Sequence, residues 1–286
     1  MVENINKQII FDFGANRGQN IPYYLLKSGI VVAVEGNPKL CKELREDFAT
    51  EIRQERLYVE NCVVTEQQTE GEMPVRFWIS KKSDVLSTFV QPRDEENFEQ
   101  VFVRARTPAS IIRNYLSDNE SLLYCKFDLE GYDAPAIRSL LSDGIFPAYL
   151  SVEIQNREAV SELLLSEVYK SFMLIDGASV EKKYQKTKIQ VSGRESIFSF
   201  ARHSAGPFGE DLVGRRLNVI NLEKLLEFKG YGWRDLHAFK EPILHPFWNN
   251  LIWNIEFFLR KIRRYLWRNL LRRSSSKSLL PPRYTS

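Results

Sequence analysis

Phe11-Asp12-Phe13-Gly14-Ala15-Asn16-Arg17-Gly18 is the stretch that decides how this 286-residue chain is read. Apolar Ile9, Ile10 and Phe11 predict a buried strand that ends at Asp12 and turns through Gly14 and Gly18 into a helix over residues 19–27. A second apolar run, residues 30–34, stops at an acid, Glu35. Strand, glycine turn, helix, strand and acid, in that order, make a nucleoside-binding βαβ unit. The glycines let the backbone approach a ligand where a Cβ would collide. The terminal carboxylate accepts ribose hydroxyls through charge-assisted hydrogen bonds worth roughly 1.5–3 kcal/mol.

The spacing narrows the nucleoside. A dinucleotide site wants Gly-x-Gly-x-x-Gly, but Asn16 stands in the glycine position and the pattern is Asp-x-Gly-x-x-x-Gly. No Lys-Ser or Lys-Thr follows Gly18, so the phosphate-binding loop is absent as well. Arg17 offers a cation, but Asp12 at the loop entrance repels a pyrophosphate and suits the sulfonium and amino groups of S-adenosylmethionine (SAM). Asp12, Gly14, Ala15, Asn16 and Gly18 are therefore assigned to the methionine side, Glu35 to the ribose with Asn37 beside it, and Asn61 and Cys62 to the adenine edge.

Composition sets the class. A hydrophobic share of 43% fits a folded chain rather than a disordered one. There is no apolar run of the ~18 residues that a membrane span needs, and the first residues lack the pattern of a signal peptide. Cys41, Cys62 and Cys125 are far apart, which argues for reduced thiols in a cytoplasmic protein rather than a disulfide framework or zinc site. Residues 247–286 hold nine Lys/Arg against the single acid Glu256, which leaves the first 246 residues at −5 in a chain of net +3. That acidic body does not suit nucleic acid.

Strands and helices alternate along the body, which predicts a mainly parallel sheet with helices on both faces. Strands are expected at 8–13, 31–35, 57–64, 122–128 and 148–154, with an added strand or hairpin arm at 73–80. Helices are expected at 38–52, capped by Asn37, at 108–116, capped by Thr107, and at 158–169. Residues 172–175 and 197–201 are expected to close the sheet as a last hairpin, around a polar loop or arm at 181–194. The predicted domains are 1–203 as the catalytic body, 204–246 as an irregular lid or peripheral segment, and 247–286 as a basic amphipathic helix and disordered tail.

Three phrases occur in order: Phe11-Asp12-Phe13-Gly14-Ala15-Asn16-Arg17-Gly18-Gln19, Val34-Glu35-Gly36-Asn37-Pro38 and Lys126-Phe127-Asp128-Leu129-Glu130-Gly131-Tyr132-Asp133. Together they make residues 8–203 resemble the FkbM family of SAM-dependent methyltransferases. The resemblance implies a seven-stranded class I methyltransferase (Rossmann-like) sheet with a reversed final strand, and O-methylation of a sugar or small-molecule hydroxyl. Gly36 departs from the proline that members commonly carry there, a change in loop stiffness.

An alcohol nucleophile needs a general base or a metal. In an open α/β sheet the ligand sits beyond the carboxyl ends of the strands, which makes Asp12, Glu35, Asp128, Glu130 and Glu153 the candidate acids. Asp128 is placed on the reacting side, as base, substrate holder or ligand of a divalent ion with Glu130 or Glu153. For Glu130 the alternatives are capping the next helix or pairing with Lys126 or Arg138. His203 and His237 are candidates to fold over the site, and His245 is the third histidine. Rival readings are a nicotinamide-dependent oxidoreductase and a non-catalytic, membrane-associated module of the same fold.

Phe247, Leu251, Ile255, Phe258, Ile262, Tyr265 and Leu266 recur at helical spacing, with Arg260, Arg263, Arg264 and Arg268 largely off that face. Such a helix fits the inner face of an anionic membrane, or packs on the body or another subunit with its arginines as a solvated face, through residues 247–273.

Overall fold

The computed structural model describes residues 7–67, 74–83, 87–243 and 246–276. They form two units, Met1–Pro242 and Ile243–Ser286. In the first, β1 (Gln8–Phe13), α1 (Ile21–Lys27), β2 (Ile30–Glu35), α2 (Pro38–Asp47), α3 (Ala49–Arg53) and β3 (Leu57–Asn61) follow the alternation read from the sequence. β4 (Val63–Val64), β5 (Pro74–Ser80) and β6 (Phe98–Arg106) then build a small separate sheet in the order β4-β6-β5. The alternation resumes with α4 (Pro108–Tyr115), β7 (Ser121–Phe127), α5 (Asp133–Ser142), β8 (Tyr149–Glu153), α6 (Glu158–Leu165) and β9 (Ser171–Asp176). After these come α7 (Val180–Lys183), β10 (Thr187–Val191), β11 (Arg194–Phe198), α8 (Val219–Lys229) and β12 (Arg234–Phe239). The second unit contains α9 (Pro246–Ser276). The expected tail beyond residue 276 lies outside the described residues.

The main sheet has seven strands in the order β3-β2-β1-β7-β8-β12-β9. β1 runs parallel to β2 and β7, and β7 parallel to β8, while β12 is antiparallel to both β8 and β9. A mostly parallel class I methyltransferase sheet with one reversed strand is therefore present. The reversed strand is not the one expected, however. Residues 197–201 do not close the sheet, because β11 pairs with β10 in a detached hairpin. β12 closes it instead, from the segment read as an irregular lid.

Two properties hid β12. Its sequence, Arg-Asp-Leu-His-Ala-Phe, mixes charge into a strand that is buried from Asp235 to Phe239. A strand covered on both faces shows no period-2 alternation, and its polar members removed the apolar run that would otherwise mark it. The remainder of that segment is also built in. Ser204 Oγ and Ala205 N both donate to Asn20 Oδ1 at 2.9 Å, Tyr23 donates to Asp211 at 2.7 Å, and Phe208 stacks on Tyr124 with ring centroids 4.1 Å apart. Residues 204–212 thus cover one face of the sheet as core, each large buried side chain contributing about 1.5–3 kcal/mol.

Some elements end well before the predicted residue, among them the helix expected over 158–169, which stops at Leu165. The helix expected over 38–52 breaks at Phe48 (φ −111°, ψ 29°) into α2 and α3. The strand expected over 57–64 stops at Asn61, and β4 leaves the main sheet to pair with β6.

Candidate active site

The loop after β1 is shaped by its neighbours. Gly14 has φ +88°, and a Cβ there would lie 1.9 Å from the Asp128 carbonyl oxygen. Gly14 is required because the end of β7 passes against it, whatever the ligand does. Gly14 N and Ala15 N donate to Val34 O at 2.9 and 3.0 Å, which docks the turn onto β2. Gly18 (φ +74°) serves packing, since a Cβ would meet Leu44 at 2.7 Å and Ile21 at 2.8 Å. Asn16, left-handed at φ +48°, donates its N–H to Glu35 Oε2 at 2.8 Å.

Glu35 is the hub of this half. Its Oε1 accepts from Asn37 N, also at 2.8 Å. Burial raises its pKa above the usual carboxylate range, and the two N–H groups pull it partly back. Asn37 Oδ1 accepts from Lys39 N at 3.0 Å and caps α2, so that side chain is a helix cap. Asn61 Nδ2 donates to the carbonyls of Glu35 and Gly36 at 3.0 and 3.1 Å. It ties β3 to β2, while Cys62 beside it reaches the cleft wall.

That cleft has about 820 Å3 between its walls, its solvent-open part included. One wall is Gly14 to Asn16, Gln19 and Asn20, with Glu35 and Gly36 beyond. Cys62, Val63 and Val64 continue it, Phe77 and Phe89 come from the small sheet and its loop, and Lys126, Asp128, Glu130, Tyr132 and His203 form the far wall.

Strand register explains the charge on that far wall. Asp12 pairs with Lys126, Lys126 with Ser151, and Ser151 with His237. Residues in register point to one face, so these form a polar row across the sheet. One step nearer the carboxyl ends, Glu153 pairs with Asp235. Lys126 Nζ lies 3.0 Å from Asp128 Oδ2 and 3.7 Å from Asp12 Oδ1. Burial opposes the Lys126 charge, but Asp128, Asp12 and Asp235 outweigh it and hold the ammonium protonated. Asp12 is not at the loop mouth as expected. It is wholly buried below the cleft floor, where desolvation raises its pKa to about 6 against the pull of Lys126.

Asp128, Glu130 and Glu153 place carboxylate oxygens within 4.8 Å of one another. Burial, then the charges of Asp128 and Asp133, push Glu130 up to about 8. Burial, then the Asp128 charge and a hydrogen bond to Asp128, push the Glu153 carboxyl strongly upward. The turn after β7 is capped by Asp133 rather than Glu130. Asp133 accepts from Leu129 N at 2.9 Å and Gly131 N at 3.3 Å. Glu130, itself left-handed at φ +48°, contacts Gln155 Nε2 at 3.4 Å. Of its two expected cationic partners, Lys126 bonds Asp128 and Arg138 bonds Glu66 and Glu162.

The family described as Methyltransferase FkbM domain matches residues 12–166, more than half of the chain. The chain belongs to the FkbM methyltransferase family. Membership of that family favours methyl transfer over the oxidoreductase reading. No curated protein matches it. Among solved structures it is similar to an FkbM methyltransferase from Methylobacillus flagellatus, with 16% identity and a TM-score of 0.37 over 59% of this chain and 40% of that one. A precorrin-6y C5,15-methyltransferase from Geobacter metallireducens is similar at 8% identity and a TM-score of 0.37, covering 84% of both chains. The N-terminal domain of human METTL16, solved in complex with SAH, is similar at 9% identity and a TM-score of 0.32, over 61% of this chain and 57% of that one.

In this member of the FkbM family the two described histidines part company. His203 (φ +64°) lines the cleft and stacks on Trp233 with centroids 5.7 Å apart. His237 does not fold over the site. It is buried in β12, where burial and then Lys183 lower its pKa to about 3. His245 lies outside the described residues. Sequence reasoning missed Asn20, Phe77, Phe89 and Lys126 as parts of the site. Only Lys126 carried a signal, a lysine inside an apolar strand two residues before an acid.

Proposed function

We propose that the protein is an O-methyltransferase acting on a hydroxyl of a saccharide or small hydroxylated metabolite, with Asp128 as general base. One observation carries the reading: Asp128 opens into the cleft, its side chain 32% exposed, while Lys126 holds it from behind. SAM occupies the Glu35 side through its ribose. Methyl transfer is an in-line displacement in which proximity and alignment supply most of the acceleration. The acceptor oxygen forms a bond to the methyl carbon, the carbon–sulfur bond breaks with its electron pair going to sulfur, and the hydroxyl proton passes to the Asp128 carboxylate. Glu130, largely protonated at neutral pH, donates a hydrogen bond to the acceptor. Phe89 and Tyr132, edge to face with centroids 4.9 Å apart, give the pocket an apolar surface for a sugar ring or hydrocarbon skeleton.

A second reading rests on the clustering of Asp128, Glu130 and Glu153. Three oxygens this close fit a divalent cation of hard character, which when bound would lower the pKa of the acceptor hydroxyl. Lys126 beside Asp128 favours the metal-free reading.

Calorimetry with SAM, followed by labelled-methyl transfer to a panel of hydroxylated saccharides and metabolites, tests the proposal. The expected result is SAM binding that Glu35→Ala weakens, and transfer that Asp128→Asn abolishes and EDTA leaves intact. Loss with EDTA and recovery with magnesium favours the second reading. Transfer only to amines or to carbon overturns O-methylation.

A further inference from the structure

The basic helix α9 takes no part in the chemistry above, and its own surface is unevenly built. At about 100° per residue, Leu251, Ile255, Phe258, Ile262 and Tyr265 fall in a band about 80° wide, and Ile252 and Leu259 widen it to about 140°. All seven are exposed, Phe258 at 64% and Tyr265 at 68%. The stripe from Leu251 to Tyr265 is ~21 Å long. A patch of this size and continuity marks an interaction surface.

The charges flanking the stripe select its occupant. Arg263 borders the band on one edge and Lys261 on the other, with Arg260 on the opposite face. Away from the band lie Asn250 and Asn254 together with the buried rings of Trp253 and Phe257, and Glu256 is the one acid of residues 247–286, which carry nine Lys/Arg. Trp253 and Phe257 stack at 4.6 Å, and Lys261 sits 4.9 Å over the Phe257 ring. Cations on both margins of an apolar band reach headgroup phosphates while the band enters the acyl boundary. A protein partner would have to supply a matching acidic rim around an apolar groove, and the first 246 residues of a second copy, at −5, spread that charge over a whole body. No helix among the described residues is long and apolar enough to cross a membrane.

We propose that α9 is an interfacial anchor that lies flat on an anionic lipid bilayer, its Leu251–Tyr265 stripe inserted and Arg260, Lys261 and Arg263 on the headgroups. The test is co-sedimentation of the full chain with vesicles of phosphatidylcholine alone and of phosphatidylcholine mixed with phosphatidylglycerol. Binding to the mixed vesicles is expected to be roughly tenfold tighter or more, and to weaken with added salt. Phe258→Glu with Ile262→Glu is expected to abolish it, and Lys261→Gln with Arg263→Gln to lower it roughly tenfold on mixed vesicles only. SAM affinity of each variant, measured by calorimetry, reports whether the body is folded, and it is expected to equal that of wild type. Failure of the wild type to bind mixed vesicles overturns the proposal, as does equal binding to both vesicle types. A concentration-dependent dimer in sedimentation velocity that Phe258→Glu disperses, without vesicle binding, also overturns it and gives the stripe to a second copy.

Discussion

On the β3-β2-β1 side of the cleft the polar side chains end on backbone; on the β7-β8-β12 side they end on one another. Glu35 is held by two main-chain N–H groups, Asn61 by two carbonyls and Asn37 by one N–H. Across the cleft, Lys126 sits between Asp128 and Asp12, and the Asp128 charge helps push Glu153 upward. A backbone frame suits a ligand whose shape never changes. A network of titrating side chains suits a step in which a proton must move.

The largest effect is expected where the two sides touch. Gly14→Val should leave no measurable SAM binding, since the new side chain collides with the Asp128 backbone. Gly144→Ala is the control. Its φ of +73° is also left-handed but nothing lies within 4 Å, so it should cost only about 1–2 kcal/mol and spare binding and transfer. Equal damage from both would show that left-handed strain, rather than the crossing of β7, makes Gly14 necessary.

Next come the two acids, one for each side. Asp128→Asn should lower kcat by roughly 10²–10⁴-fold and change the SAM Kd little. Glu35→Ala should do the reverse, raising Kd by roughly 10–100-fold, the value of a charge-assisted hydrogen bond. If Asp128→Asn weakens SAM as much as Glu35→Ala does, the division of labour between the sides is wrong.

The acidic side should also mark itself by pH. Burial raises Asp133 and Asp235 to about 7 and Asp12 to about 6, against about 4 in an unfolded chain. Between those limits the folded state binds more protons than the unfolded one, so stability is greatest near pH 4 on this account and falls as pH rises through 6 to 7. Thermal melts should lose several degrees over that range, at ~2–4 °C per kcal/mol. Asp235→Asn should flatten the fall, and an unchanged slope would remove Asp235 from the network. The smallest effect is expected at Thr88, whose Oγ1 donates to Glu130 O at 3.1 Å and joins the small sheet to the acidic turn. Thr88→Val should cost about 1 kcal/mol and raise the acceptor KM a few-fold, with SAM affinity unchanged.

The same contrast governs what the sequence could say. Gly14, Asn16 and Glu35 meet within a single βαβ unit, and their partners are backbone groups that every residue carries, so spacing alone located them. Asp12 was misjudged although it lies in the same motif. Its position near a strand end suggested the loop mouth, but register with Lys126 turns it into the layer beneath. Asp128, Glu153 and Asp235 converge through pairing between strands far apart in the chain, and pairing leaves no mark in a local pattern. β6 did leave one, since Val101, Val103 and Ala105 alternate with exposed neighbours, but charged residues on the other face diluted it.

The placement of β12 also orders events in time. Among the described residues, β9 pairs within the main sheet only with β12, and beyond it only through an isolated bridge to Leu217. As the chain leaves the ribosome, β1, β2, β3, β7 and β8 can assemble while β9 waits, unladdered, for a strand made more than fifty residues later. The cofactor side can therefore exist in a growing chain before the acidic side is closed, and Glu153 meets Asp235 only when synthesis of the body is almost finished. A chain released at residue 203 would stop in that interval, with its nucleoside frame assembled and the β8 edge open.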